Sequence, residues 1–147
     1  MGVFRKAYSV VGAILMLQFF AQLYFIAAAI FTIINANDSA KDVYAAFKNA
    51  DPFAGLHAIN GDITALTALI MLGLAIGARY PRRTIMLTGL VFILILVQFL
   101  LAHTGTAVVS ALHGLNALIL VGLAGYLVGT NWAFGRRAEV ASTTRQP

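Results

Sequence analysis

Residues 57–103 decide the fold of this chain; they read HAINGDITALTALIMLGLAIGA at 57–78, RYPRR at 79–83 and TIMLTGLVFILILVQFLLAH at 84–103. The two outer runs contain no Lys, Arg or Pro, and each has the roughly 20 residues that a helix needs to cross the hydrocarbon core of a bilayer. Pro81 interrupts the pattern, because proline removes a helical hydrogen bond and clashes with the preceding turn. The stretch predicts two transmembrane helices joined by a short turn.

The rest of the chain has the same character. Apolar residues make up 61% and charged residues 10% of its 147 residues, and the mean hydropathy is +0.87. Soluble domains carry roughly 25% charged residues, so the composition favours a chain embedded in a lipid bilayer. We predict one all-α domain over residues 1–147, a four-transmembrane-helix bundle that ends in a flexible cytoplasmic tail at 138–147. The helices are predicted over about residues 7–34, 52–78, 84–103 and 110–133.

The distribution of charge predicts the orientation in the membrane. The net charge of +5 comes from ten Lys and Arg against five Asp and Glu, and cations are grouped at residues 5–6, 79–83 and 136–137. Lys and Arg mark the cytoplasmic side of a membrane protein, so both termini are predicted to be cytoplasmic. The positive charge thus indicates topology, with no nucleic-acid partner, and the expected location is a bacterial plasma membrane. The chain has no cysteine, which excludes disulfides and thiolate metal sites.

The loop between the first two spans contains a second, weaker pattern. Val43, Phe47 and Ala50 recur at i, i+4 and i+7, which predicts a short amphipathic helix on the outer surface. Asp51 and Pro52 follow, as a helix cap and a first helical residue would. The second transmembrane helix is therefore predicted to begin there.

An internal repeat relates the two halves. Residues 56–61 read LHAING and residues 112–117 read LHGLNA, and a weaker match joins LQFF at 17–20 to VQFL at 97–100. Each half is predicted to be a helix hairpin that crosses the membrane and returns. Such parallel repeats are related by a two-fold axis along the membrane normal.

The repeat places one histidine in each half at equal depth. His57 lies 22 residues before Arg79 and His113 lies 23 before Arg136, so both are about 33–35 Å from the cytoplasmic edge at 1.5 Å per residue. Two imidazoles at one depth, on helices that a four-helix bundle places face to face, are what a bis-histidine haem requires. The sequence predicts His57 and His113 as iron ligands and one haem b as the cofactor.

Other repeated residues surround the histidines. A small residue one turn beyond each His would let a flat macrocycle lie against the backbone, and an Asn three residues beyond each would hydrogen-bond an imidazole or a propionate. A Gln inside the first and third spans would serve either helix packing or a hydrogen bond to the cofactor. The predicted cofactor-binding residues are Gly61, Ala117, Asn60, Asn116, Gln18 and Gln98.

Six-coordinate iron leaves no open position, so the prediction is a small b-type cytochrome that transfers electrons within a larger membrane complex or to quinone. Whether it catalyses a reaction stays open. One alternative is a cofactor-free accessory subunit with interfacial histidines. Another is an outer-face metal or proton relay that uses His57, His103, His113 and Asp62. His103 has no counterpart in the repeat and is interpreted as an interfacial residue.

The runs QFLLA at 98–102 and ALHGLNA at 111–117 carry a family resemblance. The chain resembles an uncharacterised family of four-helix bacterial membrane proteins, a domain of unknown function, and is similar to one four-helix half of haem A synthase. In that enzyme the second and fourth helices of a half each supply a His to one haem. The resemblance implies the same role for His57 and His113. The acidic residue and Arg near the histidines of haem A synthase have no counterpart in residues 54–60, so substrate oxidation is not implied.

Overall fold

The computed structural model describes residues 2–39 and 42–134, and within them it contains four helices and no strand. All four helices are long and apolar enough to cross a membrane, which confirms the all-α four-helix prediction. The predicted tail at 138–147 lies outside the described residues. The helices are α1 (Gly2–Asp38), α2 (Val43–Gly77), α3 (Arg82–Ala102) and α4 (Ala107–Thr130).

The start of α2 differs from the sequence prediction. Asp42 caps the helix, because its side chain accepts hydrogen bonds from the backbone N–H of Tyr44 at 2.9 Å and of Ala45 at 3.3 Å. Capping of this kind satisfies N–H groups that the first helical turn leaves free. The segment predicted as a separate amphipathic helix therefore forms the first turns of α2. Asp51 is not a cap, and α2 continues through Pro52.

The two described turns end their helices by different means. Arg79 takes a φ of 51° between α2 and α3, a left-handed conformation that is uncommon outside glycine. Pro81 then precedes the first residue of α3. Between α3 and α4, Gly105 takes a φ of 70°, which glycine adopts without a steric cost.

The helices pack in a ring in which each touches the next along the chain and α4 closes against α1. Consequently α2 and α4 face each other across one diagonal of the bundle, as the sequence analysis expects, and α1 and α3 across the other. Tyr8 on α1 and Thr88 on α3 share a buried hydrogen bond of 2.9 Å across the second diagonal. The bundle is narrow enough at this level for side chains to meet through its centre.

Both ends of the described chain meet at one end of the bundle, here called the terminus end. Ser9 donates to the backbone oxygen of Asn131 at 3.3 Å, and the N–H of Ala133 donates to Ser9 Oγ at 2.9 Å. The turn between α2 and α3 joins them, with the Tyr80 ring 5.0 Å from Tyr8 and the Arg5 guanidinium 5.2 Å from Tyr80. The opposite end, with the α1–α2 and α3–α4 connections, is called the loop end.

The surface of the bundle is apolar, and its buried core is confined to a narrow region along the bundle axis. Large aliphatic side chains such as Leu17 and Leu118 are each 67% exposed, an arrangement that suits lipid, whose chains are as apolar as leucine. The buried core runs along the bundle axis and includes Tyr8, Leu15, Phe19, Ala68, Met71, Ala75, Val91, Ile95, Leu120, Ala124 and Leu127.

Candidate functional site

The structure brings His57 and His113 together between α2 and α4. Their ring centroids are 6.1 Å apart and the ring planes are inclined at 46°. Both side chains are half-buried. The two residues that the repeat singled out therefore form one site, although 56 positions separate them in the sequence.

A backbone carbonyl of the neighbouring helix holds each ring. His57 Nδ1 lies 3.1 Å from the carbonyl oxygen of Gln22 on α1, and His113 Nδ1 lies 3.1 Å from that of Gln98 on α3. A carbonyl oxygen can only accept a hydrogen bond, so Nδ1 carries the hydrogen in each bond. The neutral imidazole then keeps its lone pair on Nε2. Metal-ligating histidines are commonly oriented in this way by a partner of the other ring nitrogen.

The distance between the two ring centroids can be compared with that expected for two imidazoles bound to one metal ion. A metal–imidazole bond is about 2.0 Å and the bonded nitrogen lies about 1.1 Å from its ring centroid, so two imidazoles on opposite sides of one ion have centroids about 6.2 Å apart. The observed 6.1 Å agrees with that value. The ring separation is therefore compatible with both imidazoles ligating a single iron.

The two asparagines fasten the helices of each hairpin. Asn60 donates from Nδ2 to the backbone oxygen of Gln18 at 2.9 Å, and Asn116 donates to that of Leu94 at 2.9 Å. In each hairpin the carbonyl that Asn uses lies four residues before the one that His uses. Both amides thus hold backbone, where the sequence analysis offered an imidazole or a propionate as their partner.

The glutamines of the two hairpins are placed differently. Gln98 donates from Nε2 to the backbone oxygen of His113 at 2.8 Å and accepts at Oε1 from Asn116 at 2.6 Å. The residue in the matching position of α1 is Gln22, one turn beyond the Gln18 that the sequence match had paired with Gln98. Gln18 Oε1 and Gln22 Oε1 are both buried and have no hydrogen-bond partner within residues 2–39 and 42–134.

The role of Gln22 was not predicted from the sequence, nor were those of the four backbone carbonyls of Gln18, Gln22, Leu94 and Gln98. A carbonyl leaves no trace in the sequence, because every residue has one. Gln22 does leave a signal, since an AQ pair at 21–22 also resembles the VQ pair at 97–98. The longer LQFF match at 17–20 hid it.

The small residues predicted to face the macrocycle have closer neighbours than expected. A Cβ at Gly61 would lie 3.1 Å from Gln22 Nε2 and 3.3 Å from Phe99 Cε1. Those two side chains occupy the space beside Gly61, so a flat macrocycle fits there only after both have moved. Ala117 is half-buried. The spacing of the two histidines is thus compatible with a shared iron, whereas the space beside Gly61 is filled by the side chains of Gln22 and Phe99.

The remaining polar candidates lie apart from the pair. His103 is exposed, and its Nδ1 lies 2.7 Å from the backbone oxygen of Phe99 on its own helix. Asp62 is exposed on α2. In the part of the chain that the structure describes, no three His, Asp or Glu residues are grouped as a metal ion would need.

Residues 44–107 match the family of unknown function DUF6220. The matched segment contains α2 from its second residue, with His57, and all of α3, and it ends before His113. A likeness to a family of unknown function is therefore confirmed over residues 44–107. No curated protein and no solved structure matches the chain, so the likeness to haem A synthase stays a prediction.

Proposed function

We propose that this chain is a small membrane cytochrome of the b type, which holds one haem b through His57 and His113 and transfers single electrons. The observation that carries the proposal is the 6.1 Å separation of two imidazoles whose Nδ1 atoms are both engaged by carbonyls. That arrangement leaves Nε2 of each imidazole available, and the two imidazoles would together hold the haem iron. When bound, such a group supplies one-electron oxidation and reduction.

The residues of the chain have separate tasks in this proposal. The carbonyls of Gln22 and Gln98 fix the tautomer and direction of the two imidazoles. Asn60 and Asn116 fix each ligand-bearing helix to its neighbour one turn deeper. Gly61, Ala117 and the amides of Gln18 and Gln98 are proposed to line the cofactor, with the Gln22 and Phe99 side chains moving to admit it. Rigid anchoring of both ligands limits rearrangement of the site on electron transfer.

The proposed setting is a bacterial plasma membrane with both termini in the cytoplasm. The basic residues near the terminus end support it, since Arg5, Arg79 and the 82–83 pair all lie there. The histidines then lie in the outer half of the bundle, and electrons pass to quinone or within a larger membrane complex. The equal His and Asn anchors support two hairpins that arose as parallel repeats. Reporter fusions after Arg83 and at Lys48 test the orientation; a cytoplasmic Lys48 fusion would contradict it.

A reduced-minus-oxidised spectrum of the purified protein tests the haem. We expect a low-spin b-type spectrum at about one haem per chain, because both imidazoles would hold the iron. His57→Ala and His113→Ala should each remove most of it, since one imidazole leaves an open coordination site. His103→Ala is the matched control and should keep the spectrum. Haem-free protein from a haem-replete host would favour the cofactor-free accessory subunit instead.

A further inference from the structure

Asp62 occupies a position where a carboxyl group needs a partner that the chain does not supply. It is exposed on α2, and its neighbours Ile59 and Leu66 are 58% and 57% exposed to the same surroundings. It makes no hydrogen bond or ion pair within the described residues. Counting from Ala78 at the terminus end, Asp62 lies about 24 Å up the helix at 1.5 Å per residue. With the proposed orientation and a cytoplasmic edge of the hydrocarbon core at Ala78, a core about 30 Å thick extends past Asp62 and places this carboxyl group in its outer part.

Lipid offers no hydrogen-bond partner at that depth. Ionisable side chains in transmembrane segments therefore nearly always turn inward or pair with another group. Asp62 turns outward: it lies about 160° around α2 from Asn60, which bonds α1, at 100° per residue. A polar group on another molecule would satisfy the hydrogen bonding of this carboxyl group.

A second copy of the chain would bring a suitable group, because the exposed end of α3 carries His103, which makes no hydrogen bond or ion pair with Asp62 of its own chain. His103 is exposed near the loop end of α3, and its Nδ1 is held by the Phe99 carbonyl at 2.7 Å, which leaves Nε2 directed elsewhere. Phe99 contacts α2 beside Gly61, at the level of Asp62. Since His103 is four residues from Phe99, it lies about 40° around α3 from that contact and about 6 Å closer to the loop end. Both groups thus lie on the α2–α3 side of the bundle.

The directions of the Asp62 and His103 side chains reduce the difference in depth between the carboxyl and imidazole groups. Side chains lean toward the N-terminus of their helix. The N-terminus of α2 is at the loop end and that of α3 is at the terminus end. Asp62 therefore leans toward the loop end and His103 leans away from it, so the carboxyl and imidazole groups approach a common level.

We propose that two copies of this chain pack through their α2–α3 sides, with Asp62 of each bonded to His103 of the other. A two-fold axis along the membrane normal leaves each residue at the same depth in both copies. Both Asp62–His103 bonds then form together, as in isologous interfaces. Gly55 and Gly73 lie on the same α2 surface as Asp62, and a Cβ at either would meet nothing within 4 Å. Small residues on an open helix surface let a second transmembrane helix approach closely. The inference is independent of the haem.

Cross-linking tests the interface directly because the chain has no cysteine of its own. One tagged copy carrying Asp62→Cys is produced in membranes together with a differently tagged copy carrying His103→Cys, and the pair is oxidised. Each chain then has a single thiol, so only contact between copies gives the mixed disulfide, and the reciprocal Asp62–His103 bond stays intact. We expect the mixed disulfide to form readily. Two copies of Leu118→Cys, on the exposed surface of α4, should give no disulfide. A disulfide between the Leu118→Cys copies, with none between Asp62→Cys and His103→Cys, would overturn the proposal.

Native mass measurement in lipid gives the second readout. The wild-type chain should be a dimer, and Asp62→Leu or His103→Leu should raise its dissociation constant about tenfold, as loss of two membrane hydrogen bonds implies. The exchange variant with Asp62→His and His103→Asp should restore the dimer. The dimer of the His57→Ala variant should dissociate no more than the wild-type dimer, which separates this test from that of the haem. A monomeric wild type, unaffected leucine variants, or a different protein bound at Asp62 would overturn the proposal.

Discussion

The two helix hairpins carry the same anchor yet differ in how completely their polar groups are satisfied. In both, a histidine Nδ1 meets a carbonyl at 3.1 Å and an asparagine meets a carbonyl at 2.9 Å. In the α3–α4 hairpin, Gln98 completes the set by bonding Asn116 and His113. In the α1–α2 hairpin, the amide oxygens of Gln18 and Gln22 are buried and lack a partner in the described chain.

The hairpins also differ in length at the loop end. His57 is 35 residues from Gln22 along the chain, whereas His113 is only 15 residues from Gln98. Each helix of the first hairpin therefore continues about 10 residues, or about 15 Å, further past the histidine level. The α3–α4 hairpin is a closed and self-sufficient unit. The α1–α2 hairpin has spare acceptors beside the histidines, and buried acceptors at membrane depth favour a bound donor.

The largest difference between the hairpins is expected from the matched glutamines. Gln98→Leu removes the acceptor of Asn116 and the donor to the His113 carbonyl, which should cost about 2–3 kcal/mol of unfolding free energy. Gln22→Leu removes a side-chain amide whose oxygen has no partner, so it should cost little or stabilise the haem-free protein. Thermal unfolding of both variants in lipid nanodiscs measures the contrast. Equal destabilisation would show that the Gln22 amide is satisfied and that the two hairpins do not differ in this respect.

A smaller difference is expected from the asparagines. Asn116→Ala loses bonds to the Leu94 carbonyl and to Gln98 Oε1, which should cost about 2 kcal/mol because the Gln98 oxygen is left unpaired. Asn60→Ala loses only the bond to the Gln18 carbonyl and should cost about 1 kcal/mol. Hydrogen exchange of the α1 and α3 amides locates where each hairpin loosens. A larger loss of unfolding free energy from Asn60→Ala than from Asn116→Ala would mean that the first hairpin depends more on its asparagine than the second does.

The smallest expected effect concerns one glycine in each hairpin. Gly61→Ala places a Cβ 3.1 Å from Gln22 Nε2 and 3.3 Å from Phe99 Cε1, so those flexible side chains must shift at a cost of about 1 kcal/mol. Gly114→Ala meets nothing within 4 Å and should stabilise α4 by up to about 1 kcal/mol through helix propensity. Melting temperatures of the two variants test the sign. A neutral Gly61→Ala would show that the space beside Gly61 adapts readily, as the haem proposal needs.

Several features of the site were predictable because they depend on local pattern. The repeated histidines and asparagines, three residues apart, give each anchor its spacing, and equal depth follows from helical rise. The partners were not predictable. Gln22 and Leu94 contribute backbone oxygens, whose participation depends on how far α1 and α3 slide along α2 and α4. That register also decided that Gln22, and not Gln18, occupies the position in the first hairpin that Gln98 occupies in the second.

The sequence by itself determined the four apolar helices, the sharp turn at Pro81 and the alignment of His57 with His113, because hydropathy, proline geometry and helical rise act along the chain. Only the tertiary structure decided that α2 begins at Val43 and continues through Pro52, since the cap from Asp42 and the burial of Ala46 and Ala50 favour helix there. It likewise decided which amides are paired and that Asp62 faces outward. These outcomes depend on how neighbouring helices rotate and slide, and an apolar sequence leaves rotation and register open until the helices pack.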